Sequence, residues 1–161
     1  MKNYHALRIT TIWFAMIAIA FLASPSLGGP GHHHDHDEPR EAGPNGGRML
    51  EDVEPHLEFL VDADRHIVLT PLNDEGGVTS LSGQTASLTG GNRSAPFSMQ
   101  FAPRGDQALV SDIALPEGNY FPVILRVTAA EGQPARIIRF NMDLSSCPSC
   151  EYPEYACICG H

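Results

Sequence analysis

All four cysteines of this 161-residue chain fall in its last 15 residues. They read Cys147-Pro148-Ser149-Cys150, then six residues, then Cys157-Ile158-Cys159-Gly160-His161. Two thiolates at Cys-x2-Cys spacing point inward from a tight turn and close readily on one ion. Cys-x-Cys-x-His offers two more sulfurs and a nitrogen. Cys147, Cys150, Cys157, Cys159 and His161 therefore form a candidate ligand set. Four thiolates select zinc or Cu(I), and Glu151 and Glu154 between the pairs attract cations. Two other chemistries are open to the same residues. An even number of cysteines in an exported chain reads as disulfides. Of three pairings, Cys147–Cys157 with Cys150–Cys159 is reasonable, whereas a Cys157–Cys159 bridge would be strained. Thiol exchange by Cys147 and Cys150 is the third reading. It needs a thiol pKa near about 7, and one above about 8.5 counts against it. It also wants a Cys-x2-Cys that opens a helix in a βαβ setting, and here the motif follows the last expected strand.

A second chemical signal lies near the other end. His32-His33-His34-Asp35-His36-Asp37-Glu38 places four histidines and three acids in seven residues. In an extended chain, alternate side chains point the same way. His32, His34 and His36 can then converge on one ion, with His33 beside them and Asp35 or Asp37 adding charge. Neutral imidazole suits zinc, copper and nickel. Ordering of the segment by the metal implies modest affinity and fast exchange. Protonation near the ordinary histidine pKa of about 6.5 should release the ion. His56 and His66 flank an expected hairpin and read as surface histidines. Met49, Met99 and Met142 read as core filler.

The segments around these groups set the context. Met1–Arg8 is short and positive, Ile9–Ala23 is an apolar run, and small residues with Pro25 follow. This is the layout of a secretory signal peptide over residues 1–28. The run is 15 residues, short of the about 20 that a membrane-spanning helix needs. Membrane attachment is expected only where the leader stays uncleaved, and the expected location is the periplasm or the exterior. Residues 29–46 are rich in Gly, Pro and charge and read as a flexible linker. Without the first 28 residues, 8 cationic and 19 anionic side chains remain, a net charge of -11. Nucleic-acid binding needs clustered Lys and Arg and is excluded. Lys2 is the single lysine, so Schiff-base and P-loop chemistry are excluded as well.

Residues 47–144 must position the ends. They hold short alternating runs between turn signals: 57–61, 66–70, 84–89, 97–101, 108–115, 120–128 and 138–144. Phe121, Val123, Leu125 and Val127 share one face of their run, and Ile138, Phe140, Met142 and Leu144 share one face of the next. No segment has sustained helical periodicity. The expected fold is all-β, an antiparallel sandwich of about seven strands, immunoglobulin-like, followed by a Cys-rich tail over 145–161. A small barrel is the alternative.

Gly43-Pro44-Asn45-Gly46-Gly47-Arg48-Met49-Leu50-Glu51-Asp52, continuing through Glu54-Pro55-His56-Leu57-Glu58-Phe59, follows the His-rich acidic segment. It resembles a stretch near the N-terminus of periplasmic adaptor subunits of heavy-metal efflux pumps, and of small exported proteins related to them. The similarity covers roughly residues 32–61. The chain has no room for the helical hairpin and biotin-lipoyl-like domain of an adaptor. What the resemblance implies is metal homeostasis outside the cytoplasm, with an envelope efflux component as partner. The Gly46-Gly47-Arg48 turn reads as structural.

Together these readings give a non-enzymatic, exported metal-binding protein for zinc or copper, serving buffering or delivery. The alternative is a disulfide-stapled interaction module of the envelope without a metal.

Overall fold

The computed structural model describes residues 41–130 and 132–159. The leader, the His-acid segment and His161 lie outside them. Eight strands form: β1 Arg48–Leu50, β2 Leu57–Val61, β3 Ile67–Pro71, β4 Thr85–Asn92, β5 Ala95–Pro103, β6 Leu109–Ser111, β7 Tyr120–Thr128 and β8 Arg136–Asp143. A single turn of 3-10 helix, Glu154–Ala156, follows. All strand pairs are antiparallel. The all-β antiparallel class is therefore as expected, with the short β1 as an eighth strand. Among the described residues, no helix is long and apolar enough to cross a membrane.

The strands make one continuous sheet in the order β1-β2-β3-β6-β5-β4-β7-β8. β5 joins what would otherwise be two layers. Its first part pairs with β4, from Asn92↔Ala95 to Ser87↔Gln100. Its last part pairs with β6, from Phe101↔Ser111 to Pro103↔Leu109. This change of partner along one strand curls the sheet into a half-barrel. The two ends of the sheet then face each other. The Phe59 ring of β2 meets the Phe140 ring of β8 edge-on, 5.3 Å between centroids. The Arg48 guanidinium of β1 lies 4.7 Å from the centre of the Phe140 ring, a cation–π contact across the opening.

Alternation builds the core. In β7, Phe121, Val123, Leu125 and Val127 are buried while Tyr120, Pro122, Ile124 and Arg126 are exposed. Leu57, Phe59, Leu69, Met99, Leu125 and Met142 are all fully enclosed. Each such side chain contributes about 1.5–3 kcal/mol by leaving water. Met99 and Met142 fill the core as expected, whereas Met49 on β1 is only half-buried.

Glu58 breaks the alternation. It points away from the core face of β2, yet it is wholly buried. Residues 43–47 cover it. The chain turns there with the N–H of Gly46 on the Gly43 carbonyl at 2.9 Å and the N–H of Gly43 on the Gly47 carbonyl at 2.9 Å. Glu58 Oε1 accepts the backbone N–H of Asn45 and of Gly47, each at 2.8 Å, and Oε2 accepts from Asn45 Nδ2 at 2.7 Å. Three donors to one carboxylate offset its loss of water. The glycines are needed for the approach. Gly46 has φ +81°, which a side chain disfavours. A Cβ on Gly47 would lie 2.5 Å from the Phe59 carbonyl oxygen and 2.8 Å from Glu58 Cγ. The Gly-Pro-Asn-Gly-Gly-Arg segment is thus a clasp on Glu58. It extends ordered structure into the span that composition assigned to the linker.

Candidate metal centre

The chain leaves β8 and folds back as a narrow ribbon. Ser146 bridges Pro153. The N–H of Cys147 donates to the Tyr152 carbonyl at 3.0 Å, and that of Glu154 to the Ser145 carbonyl at 2.9 Å. Cys147-Pro148-Ser149-Cys150 forms the tip, with bends and no helix. Pro153 then enters the 3-10 turn in extended conformation, and Cys157 closes it with its N–H on the Glu154 carbonyl at 3.3 Å. Pro suits that entry because its φ is fixed and it has no N–H to satisfy.

Tyr155 ties the ribbon to the sheet. Both Tyr155 and Ala156 are buried. The Tyr155 ring meets the Phe59 ring edge-on at 5.8 Å, and its hydroxyl accepts the backbone N–H of Val61 at 3.0 Å. Burial raises the Tyr155 phenol above its ordinary range, and the Glu58 carboxylate adds to this against the opposing Val61 N–H. The segment read as a tail is therefore docked on the core. This places the four cysteines on a fixed base.

The four sulfurs all lie within 4.8 Å of one another. Cys147 Sγ is 3.4 Å from Cys157 Sγ, and Cys150 Sγ is 3.8 Å from Cys157 Sγ. A disulfide needs about 2.0 Å, and none of the four cysteines is in a disulfide. The disulfide pairing weighed from the sequence is thus not present among the described residues. Four sulfurs about 2.3 Å from a tetrahedral ion would be about 3.8 Å apart, so the cluster can hold one metal ion with small adjustments.

Backbone donors point at the sulfurs. The N–H of Ser149 donates to Cys147 Sγ at 3.4 Å, and the N–H of Cys159 to Cys157 Sγ at 3.3 Å. Both are bonds from residue i+2 to cysteine i, so the two arms repeat one local geometry. The N–H of Tyr152, with further help from that of Ile158, lowers the Cys150 thiol to about 7 against the burial that opposes it. Cys157 gains from the Cys159 N–H, but burial and the Cys147 and Cys150 thiols leave it raised. Cys159 is pushed up to about 12, chiefly by the Cys150 thiol and then by burial and the other sulfurs. Sharing charge among four close sulfurs is unfavourable without a cation, and a metal ion removes that conflict. A cavity of about 180 Å³, whose lining includes Glu41, Glu51, Asp52 and Cys157, adjoins the cluster.

Of the expected site residues, the structure brings together Cys147, Cys150, Cys157 and Cys159. His32, His33, His34, Asp35, His36, Asp37 and His161 lie outside the described residues. Among the described residues, the four cysteines are the one group with metal-ligand spacing. His56 Nδ1 instead bonds the Val53 carbonyl at 3.0 Å. Residue types did not reveal the N–H donors or the Tyr155 anchor. The repeated cysteine-plus-two turn and the Tyr between the pairs were their available signals. Comparison with protein-family models, curated proteins and solved structures gives no match for this chain.

Proposed function

We propose that this chain is an exported, non-enzymatic metal-binding protein. It buffers a soft ion, zinc or Cu(I), or delivers it to an efflux component of the cell envelope. The observation that carries this reading is the convergence of four cysteine sulfurs, none in a disulfide, within 4.8 Å of one another. Thiolate sulfur and the absence of a fixed imidazole or carboxylate among those four favour soft ions over calcium or magnesium. The signal-like leader supports export. The net charge of -9 supports cation gathering, with the His-acid segment as the weaker collector and the thiolates as the tighter site.

Native mass spectrometry of the anaerobically purified chain after zinc or Cu(I) loading tests this. The expected mass includes an ion that is lost when Cys150 and Cys159 are both replaced by Ser. An unchanged ion count in that variant would move the metal away from the sulfurs and refute the reading.

One observation favours a second reading. A Cys150 thiol lowered to about 7 meets the requirement for thiol exchange. The same N–H donors that lower it also prepare a thiolate for a metal, and Cys150 Sγ lies 3.8 Å from Cys157 Sγ, the separation that two ligands of one tetrahedral ion would have. A disulfide-reductase assay of the metal-free chain separates the two. Metal binding predicts no turnover above that of a small thiol.

A further inference from the structure

We propose that Cys159 is the exchange ligand of this centre: the ion stays on Cys147, Cys150 and Cys157 while an acceptor thiol replaces the Cys159 sulfur. This rests on the metal-binding reading and adds the route by which the ion leaves.

Burial is graded across the cluster. Cys147 is 5% exposed. Cys150 and Cys157 are half-buried, and Cys159 is exposed. The three more buried sulfurs also have backbone donors. Cys147 accepts one N–H from Ser149, Cys157 one from Cys159, and Cys150 those of Tyr152 and Ile158. Among the described residues, the partners of the Cys159 sulfur are the other three sulfurs. An N–H donor stabilises a thiolate and fixes its lone pairs toward the site. Among the described residues, three sulfurs are fixed in this way.

The framework is graded as well. Cys147 and Cys150 belong to the ribbon closed by the Cys147–Tyr152 and Glu154–Ser145 hydrogen bonds. Cys157 caps the turn that carries the buried Tyr155 and Ala156. Cys159 lies two residues beyond that cap, joined to the frame by its own N–H on Cys157. Among the described residues, its displacement disturbs that one backbone hydrogen bond. Displacement of Cys147 would open the ribbon and expose a buried residue.

The step is a ligand substitution without electron transfer. A thiol of a Cys-containing acceptor protein approaches the exposed side and forms a metal–sulfur bond. The metal–Cys159 bond breaks, and the proton of the incoming thiol passes to the Cys159 sulfur. The metal keeps its oxidation state, and further thiols of the acceptor complete the transfer.

The zinc-loaded chain, treated briefly with iodoacetamide and read by peptide mass spectrometry, tests this in the wild type. Cys159 should be alkylated about tenfold or more faster than Cys147. Equal labelling, or Cys147 or Cys150 reacting first, would overturn the proposal. In the second arm, cobalt(II) serves as the visible probe. Cys159→Ser should keep one ion with a weaker sulfur charge-transfer band and release it to a di-cysteine peptide about tenfold faster or more. Loss of binding as complete as that of Cys147→Ser would make the sulfurs equivalent and overturn the proposal. A wild-type chain that takes up neither ion fails the metal-binding reading itself, and the exchange role with it.

Discussion

The sulfurs of Cys147 and Cys157 lie 3.4 Å apart although the residues are ten positions apart in sequence. They belong to different local structures, the ribbon after β8 and the cap of the 3-10 turn. The Glu154–Ser145 hydrogen bond and the Ser146–Pro153 bridge hold these two pieces in register, and the buried Tyr155 on Phe59 and Val61 fixes them to the sheet. The centre is therefore an extension of the sheet core.

Replacement of Tyr155 by Phe should loosen that attachment. The ring contact with Phe59 survives, but the Val61 N–H loses its acceptor. Val61 is half-buried, so its N–H without a partner costs about 1 kcal/mol. Chemical denaturation of the metal-free protein should show this loss, and zinc affinity should fall with it. An unchanged affinity would mean that the cluster does not depend on the anchor.

The same phenol sets an alkaline limit. Its pKa is raised in the folded state. Its stabilising effect is thus complete below the unfolded value of about 10 and is lost as pH rises through the raised folded value. Thermal melts of metal-free protein should decline above pH about 10. The decline should be shallower in Tyr155→Phe, and an equal decline in both would assign it to other groups.

Metal binding should release protons even in mild alkali. With Cys159 near 12 and Cys157 raised, both carry protons in the metal-free chain at pH about 8, whereas histidine is already neutral there. Calorimetry in buffers of different ionisation enthalpy should count about two or more protons released per ion at that pH. Release of none would indicate imidazole ligands.

The clasp on Glu58 should govern folding without touching the metal ligands. Gly47→Ala forces a Cβ against the Phe59 carbonyl and should cost about 1–3 kcal/mol. Glu58→Ala leaves three donors without an acceptor and should cost about 3 kcal/mol or more. Urea midpoints of the two variants test this, and wild-type stability in either would contradict the clasp.

The sequence made some of this legible, and the reasons are local. β7 and β8 alternate cleanly because one face of each is in the core, and their runs were evident at period two. β1 is three residues long and carries no period of its own. The partner change within β5 leaves no mark on side-chain type, so a curled single sheet and a two-layered sandwich read alike. The burial of Glu58 has no mark in its own strand, because its cover comes from a turn eleven residues earlier. The cysteine spacing announced its chemistry, but a metal site and two disulfides differ only in where the sulfurs sit. Nothing in the sequence tells that the Tyr155 ring reaches Phe59. Deleting residues 145–161 would remove this anchor as well as the ligands, so serine substitutions isolate the metal chemistry better.

Zinc-edge X-ray absorption of the zinc-loaded chain addresses the central claim most directly. The account predicts a first shell of four sulfurs at about 2.3 Å. A first shell of nitrogen and oxygen at about 2.0–2.1 Å would place the ion on the His-acid segment and contradict the thiolate centre.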